Sequence, residues 1–519
     1  MPRRRGAGPQ PVAVVDCGTT GVRAFIAEID GPRQRVLEDL VHPVDLTPSI
    51  LRGKLDREDM DGVVAAFTAV RRAAAAYGVS HLRAVATSGL REAGNADVLL
   101  ERLVAETGTE VEVIGGAEES RLYFEALRAQ LARCDDRPPG SGLDGKTLLI
   151  EIGGGGSSVS LIHGGTLVHS VDEHYGVNRL CQLFAHLRDS DDLVPSIDRY
   201  ALGAARMILA RLPLQGVDRI TVTGGVVRRL AGLVEPVAGE PPLRVVPAAA
   251  YERWWRRVAP LTPAARADVC ACDTDAAAIL LPAAALIRHL CTASGATQVV
   301  LPWITLRDGL LADLLPGAHG PHHLDDTHLL AEARQLVSRY GGNLAYAENT
   351  ASLAVQIFDQ TRELHGLGNR ERTLLEFSAL VHDVGSYINV RNRHKHTMYI
   401  IRASDIAGLT ADEQEMVAHI ARYHRKSPPE PHHAEFQRLP RRPRVVVGYL
   451  AAILRLAYAL DVEREQRIRK VRCQVADGRL LIRVDRRQIA LERWSMESKA
   501  SLFAETFGLP VVVVAREEQ

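Results

Sequence analysis

Two glycine-rich turns carry the chemistry this chain offers. The first reads Val14-Val15-Asp16-Cys17-Gly18-Thr19-Thr20-Gly21; the second reads Leu149-Ile150-Glu151-Ile152-Gly153-Gly154-Gly155-Gly156-Ser157-Ser158. Each follows an apolar β-type run and carries a carboxylate, Asp16 or Glu151, where the strand ends. Glycine lets backbone N–H groups approach an anion closely, and such nests favour phosphate. The hydroxyls of Thr19, Thr20, Ser157 and Ser158 add donors. A carboxylate beside phosphate suits a hard cation such as Mg2+, which takes oxygen ligands and keeps waters. Between the turns lies Gly115-Gly116-Ala117-Glu118-Glu119-Ser120-Arg121, and a further pair, Gly224-Gly225, follows an apolar run at 220–223. These residues point to a phosphate chain and a metal.

The elements that must position them alternate. Residues 11–30 read as a β-hairpin about the first turn, 56–77 as a helix with apolar residues at helical spacing, and 82–87 as a strand ending at Thr87-Ser88-Gly89-Leu90-Arg91. A helix at 95–107, a strand at 111–114 and a helix to about Arg133 follow. A Pro/Gly-rich break at 135–145 precedes a second strand, glycine turn and strand, so the pattern reads as a duplication with ligand held between halves. From about residue 317 the chain becomes helical and rich in His and Arg. Helices are expected at 326–340, 349–365, 370–382, 411–424 and 444–460. Two strands from Val471, a helix at 493–507 and a strand at 511–514 close it.

A length of 519 residues suggests roughly three or four domains at about 150 residues each. With 63 basic and 63 acidic residues, no global bias toward DNA or membranes exists. Residues 422–487 hold 17 Lys/Arg against 7 Asp/Glu, which suits either a polyanion or a solvated helical surface. Seven scattered Cys without framework spacing fit a reducing, cytoplasmic setting. No run of 18 uninterrupted apolar residues appears, so no membrane span is expected.

The segments 14–21, 86–91, 116–121, 150–155, 223–225 and 307–310 together resemble the exopolyphosphatase/guanosine pentaphosphate phosphatase (Ppx/GppA) family. The later segments Leu380–Gly385, Asn392–His396 and Ala421–Lys426 resemble the HD-type helical domain of its long members. The resemblance implies an α/β fold of duplicated ribonuclease-H-like domains (acetate-kinase/actin superfamily) at 1–134 and 135–316. An all-α HD-like domain at 317–470 and a small α+β domain at 471–519 would follow.

It further implies Mg2+-assisted release of terminal phosphate from inorganic polyphosphate, or of the 5′ γ-phosphate from guanosine pentaphosphate, by a homodimer of such chains. Glu119 matches the family's general base, and Arg91 aligns with an arginine that neutralises phosphate oxygens. Asp16 and Glu151 would hold the metal, while Gly18–Gly21, Gly153–Ser158 and Gly224-Gly225 would bind phosphate. His382, Asp383, His394, His396 and His424 are candidate metal ligands or polyphosphate contacts. The chain also departs from the family pattern. Glu151 stands where Asp is usual, Gly156 where Ser is usual, and Ser158 where the family has a Glu. In the HD-like segment the upstream His is missing and Tyr458 takes the distal Asp position. Two other readings stay open: a weakened polyphosphate- or guanosine-phosphate-binding regulator, and an HD-type phosphohydrolase whose first half only binds nucleotide.

Overall fold

The computed structural model describes residues 9–31, 33–134, 138–188, 190–212, 216–225, 230, 243–315, 326–404, 406, 408–430 and 432–515. The expected boundary at residues 316 and 317 lies outside them. The chain divides into two compact units, Met1–His323 and Leu324–Gln519.

The first unit is built on two sheets. Strands β1 (Gln10–Gly18), β2 (Gly21–Asp30), β3 (Arg33–Pro43), β4 (His81–Ala86) and β5 (Val111–Val113) lie in the order β3-β2-β1-β4-β5. Strands β6 (Lys146–Ile152), β7 (Ser157–His163), β8 (Thr166–Glu173), β9 (Arg219–Thr223), β10 (Leu243–Pro247) and β11 (Gln298–Pro302) lie in the order β10-β11-β9-β6-β7-β8. In both sheets an antiparallel meander turns parallel at its first strand: β1 pairs β2 antiparallel and β4 parallel, and β6 pairs β7 antiparallel and β9 parallel. The repeated order is the duplication in three dimensions. Strands β3, β10 and β11 extend the sheets beyond what the sequence pattern indicated.

Local chemistry explains the elements. Arg57–Ala76 starts as a helix because Asp56 caps it and exchanges a reciprocal bond with Asp59. It buries Met60, Val63, Phe67, Val70 and Ala74, a stripe at three- and four-residue spacing. One apolar core spans both halves and includes Val14, Phe25, Phe124, Leu149, Ile162, Val300 and Leu310. The Gly116–Arg133 and Leu306–Asp313 helices meet there at close range. A Cβ on Gly309 would fall 2.1 Å from the Leu122 carbonyl oxygen, so only glycine permits the approach.

The Thr274–Ser294 helix is long and apolar enough to cross a membrane by composition. Its apolar surface is instead buried: Leu280, Leu281, Ala284, Leu286, Ile287 and Leu290 sit in the core of the second half.

The second unit comprises helices Asp326–Arg339, Leu344–Gln360, Asn369–Val381, Arg393–Arg402, Ala411–Arg422 and Arg441–Ala459, with strands β12 (Val471–Ala476), β13 (Arg479–Val484) and β14 (Val511–Val514). The helix expected at 349–365 begins five residues earlier, capped by Asn343, and ends at Gln360. The helix expected at 493–507 is two, Ala490–Lys499 and Ser501–Phe507, and Arg393–Arg402 was unforeseen. Residues 471–519, expected as a separate small domain, share one core with the helices: Ile482 and Phe503 pack with Phe358, Phe377 and Leu450.

Candidate active site

The two glycine turns face one another across the first unit. The β1–β2 turn is held by bonds from Leu46 N to Thr19 O (2.8 Å) and from Thr87 N to Cys17 O (3.3 Å). The β6–β7 turn closes through Gly153 N to Gly156 O (2.9 Å). Behind it, the amides of Val177 and Asn178 donate to Gly153 O and Gly154 O at 3.0 and 3.1 Å. A Cβ on Gly154 would lie 2.7 Å from Thr19 Oγ1, and one on Gly155 would lie 3.0 Å from Ser88 Oγ. The turns therefore approach as closely as bare backbone allows. Among the described residues, the amides of Gly154 and Gly155 donate to no protein acceptor, and this leaves them for an anion.

Three predicted carboxylates converge on this gap. Asp16 ends β1, opposite Arg23 in the hairpin register. Burial raises its pKa, against the opposing pull of Arg23 and Arg307. Glu151 ends β6 and is buried; desolvation, then the charges of Glu119, Asp16 and Asp172, push it well up. Glu119 stands in the first turn of the Gly116–Arg133 helix. Desolvation pushes it up to about 7; Arg91 opposes this, and the charges of Asp172 and Asp16 add to it. The Arg91 guanidinium lies 3.6 Å from Glu119 and donates to Ile114 O at 2.6 Å.

The helix carrying Glu119 is fixed by a buried ion network. Arg121 donates twice to Glu118 at 2.8 Å and to Asp313 Oδ1 at 2.9 Å, and Arg83 donates to Asp313 at 2.9 Å. Nothing in local sequence pairs Arg121 with Asp313, 192 residues away.

Several predicted phosphate ligands have other partners. Successive β-strand side chains point to opposite faces. The Ser157 hydroxyl therefore turns away and donates to Tyr175 O at 2.5 Å, while the Ser158 hydroxyl accepts from Ser120 at 3.0 Å. Thr20 Oγ1 accepts from Arg23 at 2.8 Å. Gly224 has φ +112°, and a Cβ there would strike Ile152 O at 2.4 Å, so this glycine serves the close approach of β9 to β6.

Arg23, Ser120 and Asp172 were missed. The signal for Asp172 was present: Ser158 and Ser160 alternate on one strand, Ser170 and Asp172 on the next. The register pairs Ser160 with Ser170 and Ser158 with Asp172.

A cavity of about 580 Å³ is lined in part by Asn178, the residue whose amide donates to Gly154 O. Asn178, Thr47, Phe184, Arg188, Ile197 and Asp275 are among its walls. Its volume is that of a small-molecule site.

In the second unit the predicted metal ligands are engaged elsewhere. Asp383 lies 2.6 Å from Arg393 and 2.8 Å from Arg464. His382 bonds Ala379 O (2.6 Å) and the Tyr346 hydroxyl (3.1 Å) through its two ring nitrogens. His424 Nδ1 donates to Ala421 O at 2.5 Å. Burial lowers the pKa of His382 and His424, and takes His394 to about 4. Burial thus disfavours the charged form of these rings; His396 is half-buried. Among the described residues of either unit, no three His, Cys, Asp or Glu side chains are grouped to hold a metal, so a cation in the first unit would have at most two protein carboxylates. At His382-Asp383, Arg393 and Arg464 flank the carboxylate, and Tyr346 and Tyr458 stand against the His382 ring.

Residues 49–318 match the Ppx/GppA phosphatase family, and residues 331–500 match its domain III. The chain belongs to the Ppx/GppA phosphatase family. It is similar to the guanosine-5′-triphosphate,3′-diphosphate pyrophosphatase of Aeromonas hydrophila, with 26% identity over 350 residues, 65% of either chain. The protein of the same name from Aliivibrio fischeri is 22% identical over 349 residues, 67% of either chain. The chain thus spans about two thirds of the length of these curated relatives. Among solved structures, the Aquifex aeolicus family member has a TM-score of 0.50 and 20% identity, covering 59% of this chain and 97% of its own. An exopolyphosphatase-like protein has the same TM-score with 17% identity, covering 59% and 98%. These likenesses show the fold.

Proposed function

We propose that this Ppx/GppA protein hydrolyses the terminal phosphoanhydride of guanosine pentaphosphate or of inorganic polyphosphate. The observation that carries the reading is the pair of opposed glycine turns with Glu151 buried and Glu119 and Asp16 half-buried at their gap. Family membership and the names of the curated relatives support a phosphohydrolase and put guanosine pentaphosphate first. The neighbouring cavity has room for a nucleoside.

Phosphoryl transfer needs positioning, charge neutralisation and an oriented water more than covalent help. The amides of Gly154 and Gly155 would cradle the terminal phosphates. Glu119, whose pKa burial raises toward neutrality, would take the proton of the attacking water. Arg91 would hold Glu119 in its ionised form and face the phosphate oxygens with its fork of donors. Asp16 and Glu151 suit Mg2+: both are oxygen ligands, their charges repel, and Mg2+ is commonly bound by one or two carboxylates plus substrate oxygens and waters. Asp16 and Glu151 would hold it, and bound there it would offset the charge of the transferring group.

Phosphate release from guanosine pentaphosphate and from long-chain polyphosphate tests this, with and without Mg2+, in the parent and in Glu119→Ala. Metal-dependent release that the variant loses supports the reading, and the substrate ratio names the substrate. Tight binding without release from either overturns it in favour of the regulator reading, for which Ser158 in a carboxylate position is the motivating observation.

A further inference from the structure

Strands β6, β7 and β8 place Glu151, Ser158 and Asp172 in one row. Glu151 is opposite Ser158, and Ser158 is opposite Asp172. Cross-strand partners share a face and stand about 5 Å apart. That face is covered by the start of the Gly116–Arg133 helix. Ser120 Oγ lies 3.0 Å from Ser158 Oγ and 2.8 Å from Ser170 Oγ. A Cβ on Gly116 would fall 1.4 Å from Asp172 Oδ2. Asp172 therefore occupies room that exists because residue 116 has no side chain. The glycine and the helix start hold its carboxylate on the same side as Glu119, and its charge acts on Glu119 and Glu151 alike. Ser158, tied to Ser120, offers this row only a hydroxyl.

We propose that Asp172 is a fourth carboxylate of the site, a positioning residue that holds cation-bound water from β8, where residue 158 has no carboxylate to do so. This rests on the hydrolase reading above. The bland account of Asp172 is a carboxylate packed at a helix N-terminus, where it is favoured by the helix dipole. The two accounts differ in what a carboxylate moved across the strand pair would do.

The test compares the parent, Asp172→Asn and the double variant Ser158→Glu/Asp172→Asn. The first substitution is nearly isosteric and keeps the packing over Gly116. Three quantities are read: the Mg2+ concentration giving half-maximal phosphate release from guanosine pentaphosphate, Mn2+ uptake followed by electron paramagnetic resonance, and the unfolding midpoint. Loss of an outer-shell partner typically costs about 10–100-fold in metal affinity. Asp172→Asn is expected to weaken Mn2+ uptake and raise the Mg2+ requirement by at least about tenfold, and the double variant is expected to recover both. Mn2+ affinity unchanged within about twofold in Asp172→Asn, no uptake by the parent, or a double variant no better than the single one overturns the proposal. A lowered midpoint alone assigns Asp172 to helix packing. If the parent takes up Mn2+ but releases no phosphate, the hydrolase reading fails, and the Mn2+ comparison still decides the role of Asp172.

Discussion

Replacing Arg91 with Gln should move the acid limb of the pH–rate profile upward. The guanidinium lies 3.6 Å from Glu119. Unit charges at that distance interact by roughly 4–5 kcal/mol at an effective dielectric of about 20, and by roughly 1 kcal/mol in bulk water. The Arg91 side chain is 33% exposed, so screening moves the value toward the lower end. An interaction of about 1.5–3 kcal/mol corresponds to about 1–2 pH units. The sign follows from the charge. A cation favours the ionised carboxylate, so its removal raises Glu119 above its value of about 7. A general base works deprotonated, so activity is lost on the acid side. In kcat/KM for phosphate release between pH 5.5 and 9, the limb should shift by about 1–2 units. The loss near pH 6 should exceed the loss near pH 9 by about 10–100-fold, and what remains at pH 9 is the missing contact to phosphate. Arg91→Lys, which keeps the charge, should hold the limb close to its parent position. A uniform loss at every pH with the limb unmoved refutes the reasoning and leaves Arg91 acting on phosphate alone.

Gly154→Ala should reduce kcat/KM by at least about tenfold with little change in the unfolding midpoint, because the new methyl projects 2.7 Å from Thr19 Oγ1 into the gap between the turns. Arg121→Met should cost roughly 3–5 kcal/mol in a denaturant melt, since it strands Glu118 and Asp313 as buried carboxylates with part of their compensation gone. The second unit should lose stability as pH falls from about 6.5 toward 4. Burial holds His394 and His419 at about 4, below the unfolded value of 6.5. The unfolded chain binds more protons in that window, so the contribution is intact above 6.5 and lost as pH falls through 4. A thermal unfolding midpoint that stays flat or rises on acidification from 7 to 4.5 would contradict it.

Much of the site was legible in the sequence because its chemistry is local. A glycine turn after an apolar strand, with a carboxylate at the strand end, needs only a hairpin to become an anion nest, and two such turns in duplicated context imply that they face each other. Glu119 was legible only through the family resemblance, which matches it to the general base. The same local logic placed a helix at 56–77 and the strands that bear Asp16 and Glu151. What it could not supply was register. Ser157 and Ser158 are adjacent and chemically alike, yet strand alternation sends one to the Tyr175 carbonyl and the other toward Ser120.

Tertiary structure alone decided the longer pairings. Arg121 meets Asp313 across 192 residues, and Asp172 joins the carboxylates because β8 lies beside β7 and Gly116 leaves it room. In the second unit, the resemblance to an HD-type domain made His382-Asp383 candidate ligands. Packing instead brought Arg393 and Arg464 to the carboxylate and Tyr346 to the imidazole. Sequence determined the chemistry that each turn can offer, since backbone freedom and side-chain type are local properties. Which groups share a site was decided by pairing and packing between residues far apart in the chain, where the energies depend on distances that no local pattern carries.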